Sequence, residues 1–224
     1  MPALSSDAIA ALLEPYLGAS GLGASDLGAG TDPEAGFAGS LDRARLYDQL
    51  AIYLELILKW NARINLTAIR APEEIVRRHF GESLFVGARL GACETLLDFG
   101  SGAGLPGVPI QLTRPDVVVT LAESRSRKAA FLSEAVRVLG LRSEVWGRRV
   151  EEMPAGRQFD VVAMRAVDDM EAAVLEAGRR AKDRVMVLGG EGSWAGAGLE
   201  GFRVEEAVEL PRSERSVLWV ALRE

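Results

Sequence analysis

The run Gly100-Ser101-Gly102-Ala103-Gly104-Leu105-Pro106-Gly107 constrains this chain more than any other feature. It follows directly on an apolar stretch that closes with an acid, Leu96-Leu97-Asp98-Phe99. A turn this poor in Cβ atoms lets backbone come close to a ligand. Its amides, and the helix start behind it, suit a nucleotide-like group. About 25 residues further on, a second apolar run, Val117–Ala122, ends in Glu123, and an acid at the end of the next parallel strand suits a ribose diol. The pattern predicts an adenosine-containing cofactor.

The rhythm around the glycines is strand and helix in alternation. Strands are expected at Thr95–Phe99, Val117–Ala122, Ser143–Gly147, Phe159–Met164 and Arg184–Leu188. Helices are expected from the glycine turn to Pro115, over Ser126–Leu139 with Gly140 as its stop, and over Asp168–Ala181. Arg203–Leu210 and Ser216–Leu222 read as a closing hairpin, which would place one antiparallel strand in the sheet. Strands separated by helices imply a parallel sheet covered on both faces, an α/β class.

The N-terminal part reads differently. Residues 5–17 form a short helix capped by Ser5 or Ser6, and the stretch Gly18–Gly39 is a Gly-, Ala-, Ser- and Asp-rich connection. Leu41–Trp60 carries a helical stripe of Leu46, Leu50, Tyr53, Leu54, Ile57 and Leu58. Pro72 opens another helix, and residues 82–91 read as a further one. Residues 1–91 are thus expected as a helical extension containing the glycine-rich loop 18–39, and residues 92–224 as the cofactor-binding domain.

Composition closes several routes. No apolar run approaches the roughly 18–20 residues that span a bilayer. Cys93 is the single cysteine and His79 the single histidine, which excludes disulfides within the chain and Cys- or His-rich metal sites. A reducing cytoplasm is the expected compartment, with no membrane partner and no metal. A net charge of -6 argues against broad nonspecific nucleic-acid binding, yet arginines cluster locally. Arg63, Arg70, Arg77 and Arg78 precede the glycines; Arg125, Arg127 and Lys128 follow Glu123; Arg148, Arg149 and Arg165 come later. They read either as scattered solvated charges or, if they share a face, as a basic surface on an acidic molecule.

The loop fits both a GxGxG reading and, through Gly102, Gly104 and Gly107, the GxGxxG of dinucleotide sites. S-adenosylmethionine is favoured over NAD. A carboxylate at Asp98 can engage a cationic ligand directly or through water but would repel a pyrophosphate. All three tyrosines, Tyr16, Tyr47 and Tyr53, precede the loop, so no downstream Tyr-xxx-Lys pair exists to move a proton.

The chain resembles the RsmG (GidB) family of 16S ribosomal RNA guanine-N7 methyltransferases. The matching stretches are Lys59-Trp60-Asn61, Asn65-Leu66-Thr67 with Ile69-Arg70, Arg78-His79-Phe80 leading to Glu82-Ser83-Leu84, and Asp98 to Gly107. They continue through Glu123-Ser124, Lys128, Phe131-Leu132, Arg149-Val150-Glu151 and Arg165-Ala166-Val167. The resemblance implies a Rossmann-like, seven-stranded class I methyltransferase sheet. It implies S-adenosylmethionine as methyl donor and a guanine in the decoding-region loop of 16S rRNA, or of the small ribosomal subunit, as acceptor. Gly100, Gly102, Gly104 and Leu105 would line the cofactor beside Asp98. Glu123 would hold the ribose, Val150 and Glu151 would flank the adenine, and Arg165 would lie at the mouth and guide the base. Asn65, Arg70, Lys128, Arg149 and Arg165 would face RNA. Three departures stand out: Gly189-Gly190-Glu191 replaces the family's Lys-Gly pair, Glu123-Ser124 replaces its usual Asp-Ser, and the Gly18–Gly39 stretch is long.

Such a reaction needs no general base, because guanine N7 already exposes a lone pair. Alignment alone can supply up to about 7–11 kcal/mol of barrier reduction. N7 is hidden in the deep major groove of A-form RNA, so the target must be looped or splayed out. Several side chains keep two readings. Arg165 guides the base or bridges to Asp168 or Asp169. His79 packs under the N-terminal helices, the favoured reading, or touches RNA. Asn65 and Thr67 buttress the cofactor mouth or cap the next segment, while Asn61 is structural. The alternatives at the level of function are a methyltransferase for another acceptor, a noncatalytic RNA-binding or cofactor-sensing module, and an NAD(P)-dependent oxidoreductase.

Overall fold

The computed structural model describes residues 3–17, 42–167, 169–190, 194, 199–205, 207–213 and 216–224. The Gly18–Gly39 stretch, Asp168 and Glu191 lie outside these residues.

The centre is a sheet of parallel strands β1 (Thr95–Phe99), β2 (Val118–Ala122), β3 (Glu144–Trp146), β4 (Phe159–Arg165) and β5 (Ala181–Gly190). Three further strands follow, β6 (Phe202–Val204), β7 (Val208–Glu209) and β8 (Ser216–Arg223). The order across the sheet is β3-β2-β1-β4-β5-β8-β6, with β7 also on β8. β8 runs antiparallel to β5 and is the one reversed strand expected from the closing hairpin.

The first hairpin arm is not the single strand Arg203–Leu210 that the sequence predicts. Val204 faces Ala221 and Val208 faces Leu218, so four steps along the arm answer three along β8. The extra residue breaks the ladder as a bulge does. The arm becomes β6 and β7, and the strands among the described residues number eight instead of seven.

The central strands β1, β2, β4 and β5 are apolar on both faces, which is why alternation alone would not reveal them. Leu96, Val119, Leu121, Val161, Ala163 and Met186 point to one face. There they meet α1 (Ser6–Leu17), α2 (Arg43–Asn61), α4 (Glu82–Ala88), α5 (Gly107–Thr113) and α6 (Ser126–Leu139). Leu97, Phe99, Val162, Met164, Val185 and Val187 point to the other face and meet α7 (Met170–Arg180). The Asp42 side chain caps α2 by accepting from the Arg45 amide at 3.0 Å, and left-handed Gly140 ends α6.

The sequence predicts two helices between Pro72 and residue 91. The chain instead runs helically without a break through α3 (Pro72–Glu74), a π-helical segment (Ile75–Gly81) and α4. Gly81 is helical in φ and ψ, so it does not stop the helix. A Cβ there would lie 2.5 Å from the Tyr16 ring, so this glycine serves the close approach of α1.

Neighbours β2 and β4 leave β1 in opposite directions, making β1 the point where the strand order reverses. In open parallel sheets such a point opens a crevice at the carboxyl ends of the strands.

Candidate active site

That crevice holds a cavity of about 540 Å³, within the size range of cofactor sites. One wall is the loop after β1 and the end of β2; another is the turn Val150–Glu152; a third is the end of β4; Leu66, Thr67 and His79 close it from the N-terminal side.

The glycine loop is folded by its own amides. Ser101 donates to the Ala122 carbonyl at 2.8 Å, while Gly104 and Leu105 donate to the Ser101 carbonyl at 2.7 and 3.0 Å. Gly100, Gly102 and Gly104 have φ of 71°, 57° and 84°, the region that L side chains avoid. These glycines do different jobs. A Cβ on Gly102 would find its nearest neighbours at 3.7 and 4.0 Å, so this backbone is open to the cavity. A Cβ on Gly104 would lie 2.6 Å from the Tyr53 hydroxyl and 2.7 Å from Val108. Tyr53 is fully buried in α2 and donates to the Ala103 carbonyl, clamping the loop to the N-terminal helices.

Glu123 stands at the end of β2 and is only 7% exposed. One carboxylate oxygen accepts the Gly102 amide at 3.0 Å and the other the Arg125 amide at 2.7 Å. Both oxygens keep a lone pair, so the group is a fixed acceptor against the bare Gly102 backbone. This arrangement fits a ribose diol. Val150 is buried and Glu151 exposed, giving the neighbouring wall one apolar and one acidic lining residue.

Of the residues expected to hold cofactor, Gly100, Gly102, Leu105, Glu123, Val150, Glu151 and Arg165 line the cavity; Asp98 and Gly104 do not. Gly104 faces Tyr53, as described. Asp98 is fully buried behind the loop. One of its oxygens accepts from the Ser101 hydroxyl and from the Gly107 amide at 3.0 Å, and the other has no partner. The expected contact with a cationic ligand is therefore replaced by a brace across the two ends of the glycine turn. Burial pushes its pKa up to about 7, against the lowering effect of those two hydrogen bonds. The folded protein thus keeps a proton that an unfolded aspartate, with a pKa of about 3.9, has released. Stability is expected to fall as pH rises from about 4 to about 7. Urea unfolding at pH 5 and pH 8 should show this loss in the native protein and a much smaller one in Asp98→Asn. An equal change in both would contradict the assignment.

Arg165, at the end of β4, is 14% exposed in its side chain. It does not bridge Asp169, whose carboxylate accepts from the Ala172 amide at 3.3 Å to cap α7, and the other expected partner, Asp168, lies outside the described residues. Its partner is Glu82 of α4, at 2.7 Å and 2% exposed. Ser216 of β8 donates to the same carboxylate at 3.1 Å. Burial raises the Glu82 pKa, and Arg165 works against that rise. The second terminal nitrogen of Arg165 is buried without a partner.

His79 is both packed and part of the wall. Its Nε2 lies 2.7 Å from the Thr67 hydroxyl and its Nδ1 is buried without a partner. Burial first, then Arg165 and Arg78, lower its pKa to about 3, so it is neutral at physiological pH. Thr67 reaches the wall because Asn61 folds the loop before it, accepting from Leu66 and Thr67 amides at 3.0 and 3.1 Å.

The residues expected to face RNA divide. Lys128, Arg149 and Arg165 line the cavity; Asn65 and Arg70 do not. Arg70 donates to Asn65 at 2.8 Å and to the Asn61 carbonyl at 3.0 Å, so both are engaged in holding their own loop. Gly189 and Gly190 are paired to β8 at the end of β5. Among the described residues no cluster of His, Cys, Asp and Glu could hold a metal, and no helix is long and apolar enough to cross a membrane.

Residues 46–208 match the GidB family, described as rRNA small subunit methyltransferase G. A protein called ribosomal RNA small subunit methyltransferase G from Nitrosomonas europaea is 43% identical over 133 residues, 59% of this chain and 62% of its own length. The match thus spans under two thirds of that relative. One of the same name from Stenotrophomonas maltophilia is 37% identical over 179 residues, 80% of each chain. Among solved structures, a SAM-dependent methyltransferase from Aquifex aeolicus superposes with a TM-score of 0.50 at 20% identity, covering 64% of this chain and 90% of its own. MtNAS, solved in complex with MTA and tNA, does so with a TM-score of 0.55 at 15% identity, covering 100% and 91%. At such identities the structures speak for a shared fold.

Proposed function

The chain belongs to the GidB family of rRNA small subunit methyltransferase G proteins, and on that footing we propose that it methylates 16S rRNA, using S-adenosylmethionine as donor. The acceptor atom in this reading is N7 of a guanine in the decoding-region loop. The observation that carries it is the Glu123 carboxylate, fixed by the Gly102 and Arg125 amides, at a cavity that is also lined by basic side chains. Lys128, Arg148, Arg149 and Arg165 supply that positive charge.

When bound, S-adenosylmethionine supplies a methyl group made electrophilic by its sulfonium. Glu123 accepts from the ribose hydroxyls, and the bare backbone at Gly102 admits the nucleoside closely. Val150 packs beside the adenine with Glu151 at its polar edge. Arg165, held by Glu82, lines the cavity and would guide the acceptor base. No side chain needs to take a proton before attack, because guanine N7 is already a lone-pair donor. The neutral, buried His79 with a pKa of about 3 is consistent with that. The looped RNA is held through its phosphates by the lysine and arginines, which fixes register without reading sequence.

Incubating the protein with unmodified small subunits and methyl-labelled donor should place label on one guanine, mapped by cleavage at N7-methylguanine. Absence of label, or label on another base, would overturn this reading.

A further inference from the structure

A second cavity, of about 230 Å³, is lined by Lys59, Trp60, Arg63, Ile64, Arg127 and Glu134. It is smaller than the roughly 300–1,000 Å³ of drug-sized ligand sites and suits a single base. Its lining draws on two chain segments that also line the first cavity. Arg127 lines this one and Lys128 the other, on the first turn of α6; Ile64 lines this one and Leu66 the other, on the loop after α2.

The chemistry of the lining is unusual for an acidic protein. Glu134 is its only carboxylate, and it is committed: it accepts the Trp60 indole N–H at 2.9 Å and faces the Lys59 ammonium at 3.5 Å. Arg63 and Arg127 are exposed and have no ion pair among the described residues. Trp60 is doubly pinned, by that hydrogen bond and by edge-to-face contact with Phe131 at 5.8 Å and 70°. A ring already held in place loses little freedom when a base stacks on it, and flanking guanidinium groups suit phosphate.

We propose that this cavity is a nucleotide subsite. It would take an unpaired residue of the acceptor RNA next to the target, its base against Trp60 and its phosphate between Arg63 and Arg127. The proposal rests on the reading that RNA is the acceptor. It deepens that reading by adding a second anchoring point that holds the loop open while the target enters the main cavity.

The test uses a fluorescent RNA oligonucleotide carrying the decoding-region loop, titrated at several salt concentrations with donor present. In the Arg63→Ala/Arg127→Ala variant, the slope of log affinity against log salt should flatten by about 0.7 for each single-strand phosphate that is no longer neutralised. Affinity for S-adenosylmethionine, read by calorimetry, should not move. Both arginines are exposed, so the fold should tolerate the change. In the native protein, RNA should quench indole fluorescence; Trp60→Phe, which keeps an aromatic ring against Phe131, should reduce that quench to what the other three tryptophans give. If the native protein binds and methylates the RNA while the double variant keeps the native slope, or if no quench occurs, the subsite is overturned and the methyltransferase reading stands. If the native protein binds no RNA oligonucleotide, the subsite is overturned, and the methyltransferase reading is decided by the labelling of small subunits.

Discussion

Arg165→Met is expected to lose about 10²- to 10³-fold in methyl transfer, the scale seen when one positioned donor is removed from an active site. It should also lose roughly 3–5 kcal/mol of stability, the usual cost of breaking one side of a buried ion pair. The reason is asymmetric. Glu82 is 2% exposed, and without the guanidinium at 2.7 Å its carboxylate keeps only the Ser216 hydroxyl. Burial already raises its pKa with Arg165 present, so the unpaired acid is driven further toward its neutral form. The two losses can be separated. Adding Glu82→Leu removes the stranded charge, so Arg165→Met/Glu82→Leu should recover much of the stability and none of the activity. Urea unfolding and single-turnover transfer would measure both. If the double variant regains activity, Arg165 does not act on the acceptor; if Arg165→Met is as stable as the native protein, the bridge contributes nothing.

Gly104→Val is the second large effect. At φ 84° a side chain adopts a left-handed conformation that costs about 1–2 kcal/mol. Its Cβ would also lie 2.6 Å from the Tyr53 hydroxyl and 2.7 Å from Val108, and such overpacking costs about 1–3 kcal/mol more. Against a typical net stability of about 5–15 kcal/mol, this variant should melt far earlier or fail to fold. Gly102→Ala makes the informative contrast. It carries the left-handed cost at φ 57° but meets its nearest neighbours at ordinary contact distances of 3.7 and 4.0 Å, so its stability should fall modestly. Its methyl enters the cavity, and donor affinity should fall instead. Thermal unfolding and calorimetry together resolve the two. Equal melting temperatures for the two variants would contradict the division of labour within the loop.

That division shows what a sequence can and cannot convey. The glycines announce a turn with positive φ, but spacing does not say which one looks at a ligand and which at a tyrosine 51 residues earlier in the chain. The β1–β5 order was legible because apolar runs alternated with helical ones, and Glu123 at the end of β2 was legible from the acid closing the second run. Asp98 was misplaced for the complementary reason. An acid before a glycine turn reads as a ligand, and only the packed structure shows its carboxylate turned inward to Ser101 and Gly107. The Glu82–Arg165 bridge joins residues 83 positions apart, beyond any local pattern. The two helices expected between Pro72 and residue 91 are one helical run, and Gly81 within it is a packing contact for Tyr16. Asn65 and Arg70 look like free polar groups in sequence, but they satisfy each other. Local chemistry was readable; pairing across the fold was not.

The most direct measurement is a calorimetric titration of the purified protein with S-adenosylmethionine and, in parallel, with S-adenosylhomocysteine and NADH. One saturable site is expected for each of the first two, weakened by about tenfold or more in Glu123→Ala, where a charge-assisted hydrogen bond is removed, and no binding of NADH. Absence of affinity for both sulfur nucleosides, or affinity that survives Glu123→Ala unchanged, would contradict this.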